Sequence, residues 1–364
     1  MNSSVDVNQI IPYVAKEFKL GSVLSIQELT AGKVNKTYKV DVDVNGQSKT
    51  FVFQNVNTYV FKKPREVMEN IRRVTEYIEH YHPEVNCLHY RTTSLGETYM
   101  DMITSFWRVF GYIDSVTYNS SKDPVVVRNA AKAFGDFITY LDGFDHTFLH
   151  YTIADFHNTT KRLQTLESDF KSDILDRAKT CKDDVSYVLS MRDKALVLDR
   201  LAAEKKIPLR VTHNDTKINN VLFDEKTGEA LCVIDLDTVM PGYAGHDFGD
   251  AVRSAGNCMG SGSLEFDKVA LDTDIFRAFT EGYLSSTSSI LVPEEIDSLA
   301  PSCLVMALEL SSRYLDDYLT GDRYFNAKYP TQNLDRARNQ IALAKDMDKK
   351  MAQMMAIVKE TAKR

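Results

Sequence analysis

Between Val211 and Thr238 the chain reads V-T-H-N-D-T-K-I-N-N-V-L-F-D-E-K-T-G-E-A-L-C-V-I-D-L-D-T. Within it Asp215, Asn220 and Asp235 place an acid, an amide and a second acid at a spacing suited to ATP-dependent phosphoryl transfer. That reaction passes through a loose transition state. Catalysis is then mostly positioning and charge neutralisation, with a carboxylate orienting the attacking hydroxyl and accepting its proton. Asp215 suits that task. Magnesium is a hard ion that takes oxygen ligands and keeps several of its waters, so Asn220 and Asp235 are its candidate ligands.

The local pattern must bring these groups together. Val221-Leu222-Phe223 is a short apolar run, Asp224 to Gly228 is polar and turn-forming, and Leu231 to Ile234 is a second apolar run, which predicts a hairpin. Folding it back sets Asn220 beside Asp235. Alone, Asp215 and Asn220 could be a capped turn; the following strand that ends in Asp235 favours chemistry. His213 is read as a packed core residue. Further on, His246-Asp247-Phe248-Gly249-Asp250 contains an Asp-Phe-Gly triplet, but Asp235 already fills the metal-ligand position after the catalytic loop. Asp247 follows a Pro241-Gly242 turn and should open a helix, capping amide donors there and supporting the catalytic loop. A metal phosphohydrolase built on His246 and Asp247 would need further His ligands at regular spacing, and the sequence has none.

The string His213-Asn214-Asp215-Thr216-Lys217-Ile218-Asn219-Asn220, followed by Ile234-Asp235, resembles the catalytic segment of the aminoglycoside phosphotransferase and choline kinase superfamily. Pro208 to Val211, Asp237 to Gly242, Trp107 to Phe110, Phe134 to Phe137 and Tyr318 to Phe325 extend the likeness toward a group of sugar 1-kinases within it. The resemblance implies transfer of phosphate from ATP, with Mg2+, to the anomeric hydroxyl of N-acetylglucosamine or N-acetylgalactosamine. It implies Asp215 as general base, Asn220 and Asp235 on magnesium, and Thr238, Arg313 and Tyr324 on the sugar. One position departs from the pattern. Where the family's first loop has a His that meets the sugar, this chain has Lys33, a longer stem with a fixed charge, able to reach a sugar hydroxyl or the phosphates.

The elements around this segment predict an α+β, two-lobed kinase-like fold. A nucleotide-binding lobe is expected over residues 1–111 and a catalytic and sugar-binding lobe over residues 112–364. A short helix near Val5 to Phe18 precedes a strand at Val23 to Leu29, and the alternation at Tyr38 to Val44 and Phe51 to Phe53 flanks an Asn45-Gly46 hairpin turn. Gln54 stands near the place where kinases carry a phosphate-binding Lys, and its neutral amide can still hydrogen-bond phosphate. Pro64 to His80 is an amphipathic helix with Val67, Ile71, Val74 and Ile78 on one stripe. The strand around Trp107 to Gly111, with Arg108 and Phe110, is where backbone groups would meet adenine, Trp107 itself being core. Asp114 to Lys206 is helical, broken at Pro124 and near Asp142-Gly143, with His157 and Arg162 on one helix as surface or packing residues. Four more helices follow: Phe276 to Tyr283, Pro293 to Leu299, Leu304 to Leu319 and Asn333 to Lys359. Arg313 could also simply bridge Glu309, Asp316 or Asp317 on its own helix.

Composition bounds the rest. A chain of 364 residues with 43% hydrophobic and 26% charged residues suits a folded enzyme with two cores. Its net charge of −7 speaks against a nucleic-acid partner. Met1 to Asp6 lacks the features of a signal peptide and no apolar run reaches ~18 residues, so a cytoplasmic monomer acting on small molecules is expected. Cys87, Cys181, Cys232, Cys258 and Cys303 are widely separated, which argues against a disulfide framework or a zinc motif. Two other functions stay open: a kinase of the same superfamily acting on another sugar or on a choline-like acceptor, which needs an aromatic cage, and a pseudokinase that binds sugar and nucleotide without transfer.

Overall fold

Asp6 accepts a hydrogen bond from Asn8 N and starts helix α1 (Val7–Glu17), whose Ile10, Ile11, Val14 and Ala15 are buried. In the computed structural model, which describes residues 6–30 and 34–363, this helix belongs to the first of two units. Lys33 lies outside the described residues. The strands that follow are β1 (Ser22–Leu29), β2 (Lys36–Val44) and β3 (Gln47–Val56). Asn45 and Gly46 both have positive φ, the geometry a tight hairpin turn requires, and they join β2 to β3 in register from Val44↔Gln47 to Lys36↔Asn55.

Helix α2 (Pro64–Tyr81) buries the predicted Val67, Ile71, Val74 and Ile78 stripe. The two short strands β4 (Met100–Asp101) and β5 (Phe106–Gly111) complete an antiparallel sheet in the order β1-β2-β3-β5-β4. Val40, Val42, Phe53, Trp107 and Val109 form its core with the buried face of α1. Trp107 is buried there as expected, stacked on Tyr38 at 6.1 Å. Unit 1 runs to Ser115 and also includes Thr147–Ile153 and Leu236–Val239. Buried Asn70 ties both segments to α2: its amide nitrogen donates to His150 O and Val239 O, and its oxygen accepts from His150 N.

Unit 2 is mainly helical. Its first helix, α3 (Pro124–Tyr140), is not interrupted by Pro124 but begins there, because proline lacks the N–H that a first turn leaves unpaired and Asp123 caps Val125 N. Then come α4 (Thr159–Ser172), α5 (Ala178–Ser190), α6 (Arg192–Ala195) and α7 (Val197–Ala203). Four short strands follow, β6 (Arg210–Thr212), β7 (Val221–Phe223), β8 (Ala230–Val233) and β9 (Met240–Gly242), paired as β6-β9 and β7-β8. The remaining helices are α8 (Ala244–Ala255), α9 (Thr273–Thr287), α10 (Pro293–Thr320) and α11 (Gln332–Ala362). The sequence pattern suggested two helices where α10 is one, and Pro301 lies inside it. The core gathers Phe248, Phe276, Phe279 and Tyr283 with apolar residues of α3, α10 and α11. A Cβ at Gly249 would overlap the Ser302 carbonyl, so glycine lets α8 lie directly on α10.

Candidate active site

The β6-β9 pair, from Arg210↔Gly242 to Thr212↔Met240, holds the two ends of the catalytic segment. Inside it the predicted hairpin forms, with Val221↔Val233 in register. Ile234 N donates to Asn220 O at 2.9 Å, so the residue before Asp235 is bonded to Asn220. Asn220 Nδ2 donates to Asp215 O at 2.8 Å and to Asp215 Oδ2 at 3.1 Å. The fold therefore brings Asp215 and Asn220 into contact, and Asp235 follows Ile234, the residue bonded to Asn220, just past the end of β8. Asp235 and Asn214 both hold left-handed backbone, φ 62° and 63°, a conformation that non-glycine residues keep only where the surroundings over-determine it.

Asp247 supplies that determination for Asn214. Its carboxylate accepts from His213 N at 2.8 Å and Asn214 N at 2.7 Å, and its own carbonyl accepts from Thr216 Oγ1 at 2.5 Å. The supporting role expected of Asp247 is thus present, but the amides it caps belong to the catalytic loop. Burial pushes its carboxyl up, opposed by His213 and these two amides. His213 is fully buried as expected, its Nε2 2.9 Å from Ile234 O and its ring edge-on to Phe134 and Phe137.

Sequence reasoning left Lys217 unused. Its ammonium lies 2.5 Å from Asp215 Oδ1, with side-chain exposures of 45% and 25% for the pair. Desolvation opposes the charge on Lys217, but Asp215 and Asp250 outweigh it and raise its pKa. Asp250, ion-paired to Arg253 on α8, is held down against burial by Arg253 and Lys217. Acids and bases thus alternate from Asp215 through Lys217 to Asp250 and Arg253. Lys217 was legible in principle, standing two residues after the candidate base.

Arg313, on α10, is enclosed by rings. Its guanidinium carbon lies 5.2 Å from the Phe156 centroid, 5.6 Å from Tyr324 and 5.5 Å from Phe325, and Nη2 is 3.4 Å from Tyr324 Oη. Buried Asp317 fixes the loop that carries two of those rings, accepting from Arg323 N, Tyr324 N and Phe325 N, each at 2.8 Å. One turn before Arg313, Glu309 is buried against His157, which precedes α4 rather than lying on it and is a packing residue, one of its two expected roles. His157 Nδ1 is 2.8 Å from Glu309 Oε1 and Nε2 is 3.3 Å from Asn214 O. Burial raises the Glu309 pKa, yet His157 and Arg313 outweigh it and bring it down to about 2. Glu309 and His157 therefore link the arginine's helix to the catalytic loop. No local sequence signal joins residues so far apart in the chain. Arg162, on α4, is depressed by burial and by the neighbouring Arg313 charge.

The remaining candidates belong to unit 1. Gln54 on β3 pairs in register with Arg108 on β5; its Oε1 accepts from Arg108 Nε at 2.9 Å and its Nε2 donates to Thr37 Oγ1 at 3.0 Å. Arg108 is fully buried and ion-paired with Asp237. Phe110, also buried, packs its ring 5.2 Å from Tyr90, and Thr238 ends a short 3-10 turn at Leu236–Thr238.

Residues 25–272 match the profile of the phosphotransferase enzyme family, APH, and the chain belongs to that family. Three solved structures are similar to it. Choline kinase from Cryptosporidium parvum Iowa II is 12% identical, with TM-score 0.60, over 98% of this chain and 100% of that one. Spectinomycin phosphotransferase in complex with ADP and spectinomycin is 14% identical, with TM-score 0.56, over 95% and 99%. Plasmodium vivax ethanolamine kinase is 14% identical, with TM-score 0.53, over 92% and 83%. At these identities the likeness is one of fold: a mixed α+β, kinase-like arrangement with a sheet in the N-terminal region and helices in the C-terminal region. Among the described residues, no helix is long and apolar enough to cross a membrane.

Proposed function

We propose that this phosphotransferase moves the γ-phosphoryl group of ATP onto the anomeric hydroxyl of an N-acetylhexosamine, giving the sugar 1-phosphate and ADP. Asp215 orients that hydroxyl and takes its proton as the new oxygen–phosphorus bond forms and the bond to ADP breaks. Lys217, paired with Asp215, offsets negative charge on the transferred group. With Asn220 Nδ2 donating to Asp215, the amide's Oδ1 and the Asp235 carboxylate are the hard oxygen donors that magnesium prefers. When bound, the ion would neutralise phosphate charge. Nucleotide recognition is assigned to unit 1 through Gln54 and the β5 backbone around Phe110, with Arg108 acting through Gln54. In unit 2, Arg313 and Tyr324 are the acceptor contacts; Thr238 and Lys33 are sugar contacts that the family resemblance implies.

The observation that carries the acceptor class is the filled aromatic box. The rings that could cage an ammonium group already enclose Arg313, while Tyr318 faces Arg177 and Tyr314 faces Arg336. Arg162 adds a second positive charge beside Arg313. A cationic acceptor would find those rings already taken by Arg313, whereas a neutral sugar meets donors for its hydroxyl and acetyl oxygens.

The test is an ATP- and Mg2+-dependent assay over N-acetylglucosamine, N-acetylgalactosamine, the parent hexoses and choline, with phosphorus NMR to locate the new phosphate. Phosphate on the anomeric carbon is expected. ADP release only with choline or at another hydroxyl would move the chain elsewhere in its family, and no turnover with any acceptor would leave a binding protein.

A further inference from the structure

The end of α2 and the chain after it gather three donors of the kind that hold borderline-soft metal ions. Glu79 lies in the last turn of α2, and Cys87 and His89 stand two residues apart in the segment that runs on beside β5. Tyr90 bridges Phe110 in that segment, and Arg91 N donates to Val109 O at 2.8 Å. Leu88 and Cys87 are both buried there, while His89 is exposed. Glu79 Oε1 is 2.6 Å from His89 Nδ1 and 3.7 Å from Cys87 Sγ, and the three donor atoms all lie within 4.8 Å of one another.

We propose that Glu79, Cys87 and His89 form a three-residue site for zinc or a similar divalent ion, with water as fourth ligand. Without metal, the thiol and the imidazole both converge on one carboxylate oxygen. Burial, with Glu79 beside it, then keeps Cys87 a thiol, its pKa pushed up to about 12. On binding, the thiol proton leaves to solvent, the imidazole gives up its Nδ1 proton by shifting to the Nε2–H tautomer, sulfur–metal and nitrogen–metal bonds form, and no electron is transferred. A tetrahedral zinc ion with bonds of about 2.0 to 2.3 Å holds its ligand atoms roughly 3.3 to 3.6 Å apart. His89 and Glu79 must therefore separate by about 0.7 Å, which their side-chain exposures of 69% and 42% allow. The ion would sit by the C-terminal end of α2, where the carbonyl dipoles favour positive charge. The nitrogen–sulfur–oxygen donor set selects zinc over magnesium, in contrast to the all-oxygen pair of Asn220 and Asp235. Bound metal would tie α2 to the chain that flanks β5, independently of the acceptor used in catalysis.

The experiment titrates the chelator-treated full-length protein with Co2+ in excess Mg2+ and follows near-ultraviolet thiolate-to-cobalt absorption, then displaces the cobalt with Zn2+. One equivalent should bind with that absorption, zinc should displace it, and the melting temperature should rise. Cys87→Ser should lose the band. His89→Ala, at an exposed position that folding does not need, should weaken binding about tenfold or more, and Glu79→Gln should do likewise. A band that survives Cys87→Ser, unchanged affinity in His89→Ala, or no band at all would overturn the proposal.

Discussion

Two acid–cation pairs, one in each unit, differ in burial. Asp237 and Arg108 in unit 1 are 2% and 1% exposed. The acid's second oxygen accepts from Asn35 Nδ2 at 2.7 Å. Asp215 and Lys217 in unit 2 are a quarter and nearly half exposed. The closed pair has surrendered its solvation, and both oxygens of its acid meet buried donors out of reach of solvent, so it serves as an anchor of unit 1. The open pair has little to hold, since an exposed ion pair contributes about 0 to 1 kcal/mol, and it keeps a carboxylate that a substrate hydroxyl can reach. Burial, more than charge, separates an anchor from a candidate base.

Asp215→Asn should give the largest change. The turnover number is expected to fall by about 10² to 10⁴-fold, while ATP affinity and urea stability stay near those of the parent; an unchanged rate would remove Asp215 from the chemistry. Asp237→Asn should reverse that pattern. It leaves the Arg108 charge buried without its partner and sets an amide against the Asn35 donor, at a cost of about 3 to 5 kcal/mol. Urea unfolding measures it, and a variant as stable as the parent would mean the closed pair is no anchor.

The smallest effect concerns a carboxyl between these extremes. Burial and the hydrogen-bonded Asp169 carboxyl push Asp316 up to about 7. Its folded pKa lies above the unfolded value, so its stabilising contribution is complete below the ordinary carboxylate range and is lost as pH rises toward about 7. Asp316→Asn mimics the protonated form and should flatten that decline by about 1 kcal/mol once solvent screening is allowed for. Melting curves from pH 4 to pH 8 test this, and parallel curves for both proteins would show that Asp316 titrates normally.

Much of the catalytic segment was legible because its logic is local. The hairpin follows from short-range patterns, apolar runs and turn residues, whereas the amides that Asp247 caps lie more than thirty residues before it. The Asn45-Gly46 turn and the α2 stripe are local in the same sense. Pro124 was misread as a break because proline's meaning depends on whether it falls first or inside a helix. His157 is the packing residue that was one of its two expected roles, but it precedes α4, and its partner Glu309 is too distant in the chain to be legible.

By itself, the sequence determined the chemistry on offer: an acid, an amide and a second acid on one loop and hairpin, in a chain whose patterns of two and 3.6 residues predict a sheet followed by helices. Only the tertiary structure decided which charged residues are anchors and which stay open, that Arg313 fills its own aromatic box, and that Glu79, Cys87 and His89 converge despite the absence of a zinc motif. The reason is physical. Backbone periodicity and turn geometry act between neighbours, whereas burial and the meeting of side chains depend on residues that only the folded chain brings together.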